Sequence, residues 1–126
     1  MDEINRITER IIGAAIDIHR ELGPGLLESA YEQCLLWELE GAGMHVDRQV
    51  LVPITYKGRR VSDAFRLDLL VEKQVLVELK SIDDFAPIHT AQVLTYLKLS
   101  GLKIGLILNF KVDVMRKGIR RVVNSR

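Results

Sequence analysis

The sequence predicts a domain of the α/β (α+β) class, with a central mixed β-sheet flanked by helices. In the first third of the chain apolar residues recur every three or four positions, which is the period of an amphipathic helix. Three segments of alternating apolar residues follow, then a further helical segment and a continuous apolar run. The predicted order is α-α-β-β-β-α-β, followed by one short additional strand. The length of 126 residues suits a single domain over residues 1–126.

Two helices are predicted at the start of the chain, over residues 3–22 and 26–41. Each has one apolar stripe: Ile4, Ile7, Ile11, Ala14, Ile18 and Leu22 in the first helix, and Leu27, Ala30, Tyr31, Cys34, Leu35 and Leu39 in the second. The run Gly23-Pro24-Gly25 separates them. Glycine tolerates the left-handed conformation that ends a helix, and proline cannot continue one.

An antiparallel meander of three strands is predicted next, at residues 46–57, 60–71 and 75–81. Pro53 suits an edge strand, because proline has no N–H to donate to a neighbouring strand.

The last third of the chain predicts one helix and one or two strands. Pro87 suits the first position of a helix, where its missing N–H has no partner to lose, and Gly101 ends that helix. The apolar run from Ile104 to Leu108 is typical of a strand buried on both faces. Residues 119–123 fit a last edge strand.

Composition excludes several classes of protein. No stretch approaches the roughly 20 apolar residues that span a bilayer. Cys34 is the sole cysteine, which excludes an internal disulfide and a cysteine-rich zinc site and favours the cytoplasm as the location. With 18 Lys and Arg against 17 Asp and Glu, the net charge of +1 gives no sign of nucleic-acid binding by itself. A basic C-terminal cluster is either a solvated tail or a phosphate-binding surface: Arg116, Lys117, Arg120, Arg121 and Arg126.

Three charged residues lie inside otherwise apolar strands: Asp68, Glu78 and Lys80. Charges there are costly unless they are paired or bind a metal. If residues 72–74 form a three-residue loop, Val71 pairs with Val75, and the same register places Asp68 opposite Glu78. A two-residue loop would move these carboxylates to a diagonal.

Two opposed carboxylates repel each other, and a divalent cation such as Mg²⁺ would relieve the repulsion. The same register places Arg66 opposite Lys80, where an anion would fit between the two cations. Carboxylates for a metal beside cations for an anion suit phosphodiester hydrolysis. The alternative is a structural salt-bridge cluster of the same four side chains.

These residues resemble a known nuclease pattern. Asp68 followed by Glu78-Leu79-Lys80 resembles the D…(D/E)-x-K signature of the PD-(D/E)xK superfamily, and the predicted order resembles its restriction-endonuclease-like core. Gly25, Glu28 and Tyr31 are similar to the hallmark of the GxxExxY family. Further blocks resemble that family in order: Arg48-Gln49-Val50, Tyr56-Lys57-Gly58, the segment from Thr90 to Leu97, and the segment from Gly105 to Phe110.

The resemblance implies a nuclease that uses Mg²⁺ or Mn²⁺. Asp68 and Glu78 would be the main metal ligands, and Glu28 would add to the metal shell directly or through water. Lys80 would assist the attacking water and the phosphate, and Gln92 would support the site. The implied partner is nucleic acid, with DNA favoured over RNA. Because the domain is small, a homodimer or a partner subunit would supply further binding surface.

Each of these roles has a simpler alternative. Glu28 also suits a helix N-terminus, Tyr31 could pack or bond to Glu28, and Gln92 could satisfy a buried backbone group. His19 either lines the site or completes the C-terminus of its helix, and Trp37 is expected to pack. For the whole chain, the alternative to an enzyme is a non-catalytic module with a nuclease-like fold that binds nucleic acid or protein.

Overall fold

The computed structural model describes residues 2–125, which form one five-stranded sheet with helices on both faces. In chain order the elements of this part are α1 (Asp2–Leu22), α2 (Glu28–Gly41), β1 (Val46–Tyr56), β2 (Arg59–Val71), β3 (Val75–Lys80), α3 (Pro87–Ser100), β4 (Ile104–Asn109), a 3₁₀ turn (Met115–Gly118) and β5 (Ile119–Val123). The predicted class and order are confirmed, including the last short strand.

The sheet is mixed, and its strands lie in the order β1-β2-β3-β4-β5. The first three strands form the predicted antiparallel meander. β3 and β4 are parallel, because α3 carries the chain back between them, and β5 is antiparallel to β4. β3 and β4 are almost wholly buried, as the apolar run at Ile104–Leu108 predicts for a strand covered on both faces.

Helices cover the sheet from both sides. α1 and α2 bury their apolar stripes against one face, where they meet Leu69, Val77, Leu79, Leu106 and Leu108. α3 covers the other face with Val93 and Leu97, against Leu67, Leu76, Ile107 and Val122. Gly105 allows α3 to approach β4 closely, since a Cβ there would lie 2.9 Å from Val93 Cγ1. No helix among the described residues is long and apolar enough to cross a membrane.

The second helix begins later than the sequence predicts, at Glu28 instead of residue 26. Leu27 is extended, with φ −65° and ψ 149°. The Tyr31 hydroxyl donates to the carbonyl oxygen of Gly23 at 2.6 Å and accepts from the amide of Leu26 at 3.1 Å. These bonds satisfy backbone groups of the connecting segment without a helical turn, so the hinge is longer than predicted.

Trp37 does not pack as expected, because its side chain is 64% exposed. The buried residues of α2 are Tyr31, Glu32, Leu35, Leu36 and Leu39. At 3.6 residues per turn Trp37 lies away from that stripe, so the expectation that it packs is wrong.

Candidate active site

The hairpin of β2 and β3 carries the charged residues that the sequence singles out. Its loop has the predicted three residues, Glu72-Lys73-Gln74, and its closing pair is Val71 and Val75 as predicted. Two further pairs, Leu70 with Leu76 and Leu69 with Val77, keep the same register. Asp68 and Glu78 are the next residues along the two strands after the last of these pairs.

The regular pairing of β2 with β3 ends just before these two carboxylates. Asp68 Oδ2 instead accepts a hydrogen bond from the backbone amide of Leu79 at 2.9 Å, so a side chain replaces the next bond of the ladder. Leu67 packs under α3 and Leu69 packs under α1 and α2, although they are only two residues apart. The side chains of β2 therefore change sides of the sheet at Asp68. In a regular strand, residues two apart such as Leu67 and Leu69 would share a side.

Glu78 is buried, with 7% of its surface exposed. Burial raises its pKa to about 9, and the hydrogen bond and charge of Asp68 act in the same direction. Lys80 opposes these effects by its positive charge but does not overcome them. Near neutral pH, and without a bound cation, the two carboxyl groups therefore hold a proton on Glu78.

Lys80 shares the strand face of Glu78, because residues two apart on a strand point the same way. Among residues 2–125 none of Asp68, Glu78, Lys80 or Arg66 forms an ion pair. Arg66 is exposed and pairs with Leu51 of β1, beyond the end of the β2–β3 ladder. The predicted opposition of Arg66 and Lys80 is wrong, and so is the salt-bridge cluster offered as the alternative.

One face of α3 borders the carboxylates. Gln92 is exposed, and its Nε2 donates to the Tyr96 hydroxyl at 2.9 Å. The pKa of Tyr96 is raised, mainly by burial and then by the charge of Glu78, with a smaller effect from Asp68. Gln92 therefore does not serve a buried backbone group. Tyr96 was missed by the sequence analysis, although its position four residues after Gln92 was a usable signal.

Glu28 lies near the C-terminal end of β3, the end that carries Glu78 and Lys80. Its Oε2 accepts from the amide of Ser81 at 3.1 Å, and Ser81 directly follows Lys80. Tyr31 makes no bond to Glu28: it is fully buried and stacks on Phe110, with ring centroids 4.2 Å apart. Within the described chain no three His, Cys, Asp or Glu side chains form a cluster suited to a metal, so Glu28 does not close such a group with Asp68 and Glu78.

Asn109 is a second residue that the sequence analysis missed. It pairs with Lys80 across the parallel strands, and its side chain is buried. Its Oδ1 accepts from the amide of Ile82 at 3.0 Å, and its Nδ2 donates to the carbonyl oxygen of Ile82 at 2.9 Å. These two bonds fix the chain directly after Lys80. An asparagine inside an apolar strand was the available signal.

The remaining candidates lie elsewhere. His19 is buried and donates through Nε2 to the carbonyl oxygen of Val112 at 2.8 Å, next to Phe110.

The C-terminal basic residues do not form one surface. Arg121 bonds to Asn5 and Thr8 of α1, whereas Arg120 lies 4.7 Å over the ring of Phe85, which packs with the α3 side. Lys117 pairs with Asp113, and Arg126 lies outside the described residues.

The site thus brings together a buried carboxyl group, a second carboxylate hydrogen-bonded to the backbone, an amine on the same face, and the polar edge of α3. Two carboxylates that are both ionised suit a divalent cation, and an amine beside them suits a phosphate oxygen.

Comparisons with known proteins show which family the chain belongs to. The family model of the PD-(D/E)XK nuclease superfamily matches residues 5–122. No curated protein matches the sequence. A solved structure titled "Crystal structure of SSO0001" is 14% identical, with a TM-score of 0.49, over 94% of this chain and 78% of that one. That likeness is too low for any conclusion about activity. The family match covers nearly the whole chain, and the protein therefore belongs to the PD-(D/E)XK nuclease superfamily.

Proposed function

We propose that this protein is a nuclease that hydrolyses phosphodiester bonds, uses Mg²⁺ or Mn²⁺, and acts on DNA in preference to RNA. The observation that carries the proposal is the pair formed by Glu78 and Asp68 with Lys80 on the same strand face. Burial of a carboxyl group costs free energy of folding, and carboxyl groups with strongly raised pKa values cluster at functional sites. Binding a cation in place of the proton on Glu78 is such a function.

The donor set fits a hard divalent cation. Asp68 and Glu78 would hold it through carboxylate oxygens, and Glu28 would contribute through a water molecule. The bound ion would supply a Lewis acid and lower the pKa of a water molecule. Glu78 must lose its proton for this to happen, so binding of the cation is coupled to proton release.

The other residues act on the phosphate and on the position of the carboxylates. Lys80 offers a positive charge where the phosphate gains negative charge during hydrolysis. Asp68 keeps one oxygen bonded to the amide of Leu79, which fixes the carboxylate against rotation. Gln92 and Tyr96 form the polar wall on α3, from which their side chains can bind the nucleic-acid backbone.

The test is cleavage of supercoiled, linear and single-stranded DNA and of RNA, in the presence of Mg²⁺ or Mn²⁺. We expect cleavage by the unmodified protein and a loss of at least about 100-fold in Lys80→Ala, the range of one well-placed charged group. Lys98→Ala is the matched control, because Lys98 is exposed on the last turn of α3. A calorimetric titration with Mn²⁺ measures metal binding independently. Metal binding without cleavage of any substrate would favour the non-catalytic module instead.

A further inference from the structure

The hairpin of β1 and β2 carries an unbalanced group of cations. These strands have 11 and 13 residues, against six in β3, so their outer halves extend past the rest of the sheet. Between residues 51 and 66 there are four cations, Lys57, Arg59, Arg60 and Arg66, and one carboxylate, Asp63. The whole chain has a net charge of only +1, so positive charge is concentrated on this hairpin.

Three of these cations surround the turn of the hairpin. Lys57 and Gly58 form the turn with φ of 49° and 76°, and Tyr56 pairs with Arg59 across it. None of the four cations has an ion pair within residues 2–125. Neighbouring like charges on a hairpin destabilise it. Lys57 lies 5.4 Å over the ring of Tyr56, but no carboxylate of residues 2–125 pairs with any of the four, so the arrangement suits an anionic ligand.

The base of the hairpin is fixed beside the candidate site. Phe65 of β2 stacks on Tyr96 of α3, with ring centroids 4.4 Å apart and planes 11° apart. Asp68 follows three residues later on the same strand. Farther out, Arg60 and Leu99 of α3 line one groove together with Tyr56. α3 and the hairpin therefore run side by side from the site towards the cations.

The spacing along the hairpin gives the distance between the two places. Val52 pairs with Phe65 and Tyr56 pairs with Arg59, so four β1 positions, about 13 Å, separate the stacked ring from the turn. Asp68 lies about 10 Å on the other side of Phe65. The turn is thus about 23 Å from the carboxylates, which equals about seven base-pair steps at 3.4 Å each.

We propose that the hairpin turn, through Lys57, Arg59 and Arg60, binds backbone phosphates of duplex DNA about seven base pairs from the bond that is cut. This rests on the proposed function, because it assigns a second contact for the same substrate. A duplex is favoured because it is stiff over this length and reaches both places without a cost for ordering a flexible strand. The contact reads no base sequence, since arginine and lysine meet only phosphates there.

The experiment measures binding in EDTA by fluorescence anisotropy, so that it does not depend on cleavage. The test variant is Lys57→Gln/Arg59→Gln/Arg60→Gln, and the probe is a DNA duplex of about 24 base pairs. The matched control is Arg6→Gln/Arg10→Gln/Arg20→Gln, which removes the same charge from exposed positions of α1. Thermal unfolding of both variants checks that they fold.

Each phosphate contact contributes about −0.9 to the slope of log K against log salt. We expect the hairpin variant to lose two to three contacts, so its slope should become less steep by about 2, with affinity reduced at least about tenfold at low salt. The α1 control should retain its slope. A closed stem of about six base pairs, roughly 20 Å long, cannot reach both places at once and should bind the unmodified protein more weakly than the long duplex does.

The outcomes separate this proposal from the nuclease proposal. Equal slopes for the hairpin and α1 variants, or no binding of the long duplex by the unmodified protein, would overturn the hairpin contact even if the protein cuts DNA. An equal change of slope with a single strand of the same length would overturn the assignment to a duplex. A reduced slope in a protein that cuts nothing would support the hairpin contact and reject the nuclease.

Discussion

The substitution Glu78→Gln tests whether the buried carboxyl group holds a proton. The folded-state pKa is about 9, against an ordinary value of 4.5, so the folded chain binds this proton more tightly than the unfolded chain. The contribution of Glu78 to the free energy of unfolding is therefore fully present below pH 4.5 and is lost as the pH rises towards 9. Glutamine has nearly the same shape as the protonated acid and carries no charge at any pH.

The size of the effect follows from the pKa. Each pH unit between 4.5 and the working pH lowers the free energy of unfolding of the unmodified protein by about 1.4 kcal/mol. At pH 7 this loss is roughly 3 kcal/mol, and Glu78→Gln does not incur it. At pH 9 the difference grows to roughly 6 kcal/mol. We expect the variant to be more stable than the unmodified protein, although it should lose the proposed activity. Such opposition between stability and function is common at active sites.

The assay is urea unfolding at pH 4.5, 7 and 9 in EDTA, which keeps divalent cations away from the carboxylates. The control is Glu32→Gln, at another buried glutamate, which bonds to Arg48 and Gln49. That variant should lose about 1–3 kcal/mol, because it leaves those partners without an ionised acceptor. If Glu78→Gln is no more stable than the unmodified protein at pH 7, Glu78 is ionised in the folded state and the reasoning is refuted.

Further predictions concern three other positions. Tyr96→Phe removes the acceptor of the Gln92 amide. We expect this variant to have a kcat/KM for DNA about tenfold lower and an unchanged Tm, because Tyr96 belongs to the polar wall on α3. Unchanged kinetics would show that Tyr96 does not belong to the site. Tyr31→Phe should lower the free energy of unfolding by about 1–3 kcal/mol in urea, because two backbone groups lose their buried partner; no change would mean that water replaces the hydroxyl. Gly105→Ala should lower the free energy of unfolding by about 1–3 kcal/mol, because the added Cβ would lie too close to Val93. An unchanged Tm would show that α3 shifts to accommodate the methyl group.

Local patterns predict much of this fold. The three-residue loop at Glu72-Lys73-Gln74 fixes the register of β2 and β3 through the pairing of Val71 with Val75. The apolar run at Ile104–Leu108 predicts a strand buried on both faces, because only such a strand lacks a polar side. These features depend on residues that are neighbours in sequence, so the sequence alone is sufficient.

The site itself was predictable only in part. Asp68, Glu78 and Lys80 stand out because charges inside apolar strands are rare, but the reversal of β2 at Asp68 depends on which helix covers Leu67 and which covers Leu69. No local pattern contains that information. The role of Tyr31 was left open for the same reason, since its partners are backbone groups of a segment with no regular structure.

The groups at the candidate site, apart from Glu28 and Asn109, belong to one continuous stretch from Phe65 to Tyr96. Closing such short loops costs little chain entropy, and a hairpin forms within microseconds. By contrast, α1 is joined to β5 through Arg121 and Asn5, which are 116 residues apart. During folding, the amides of the β2–β3 hairpin should therefore gain protection from hydrogen exchange before those of α1 do. The part of the chain that carries the chemistry would then assemble first, and the first helix would dock onto a sheet that already exists.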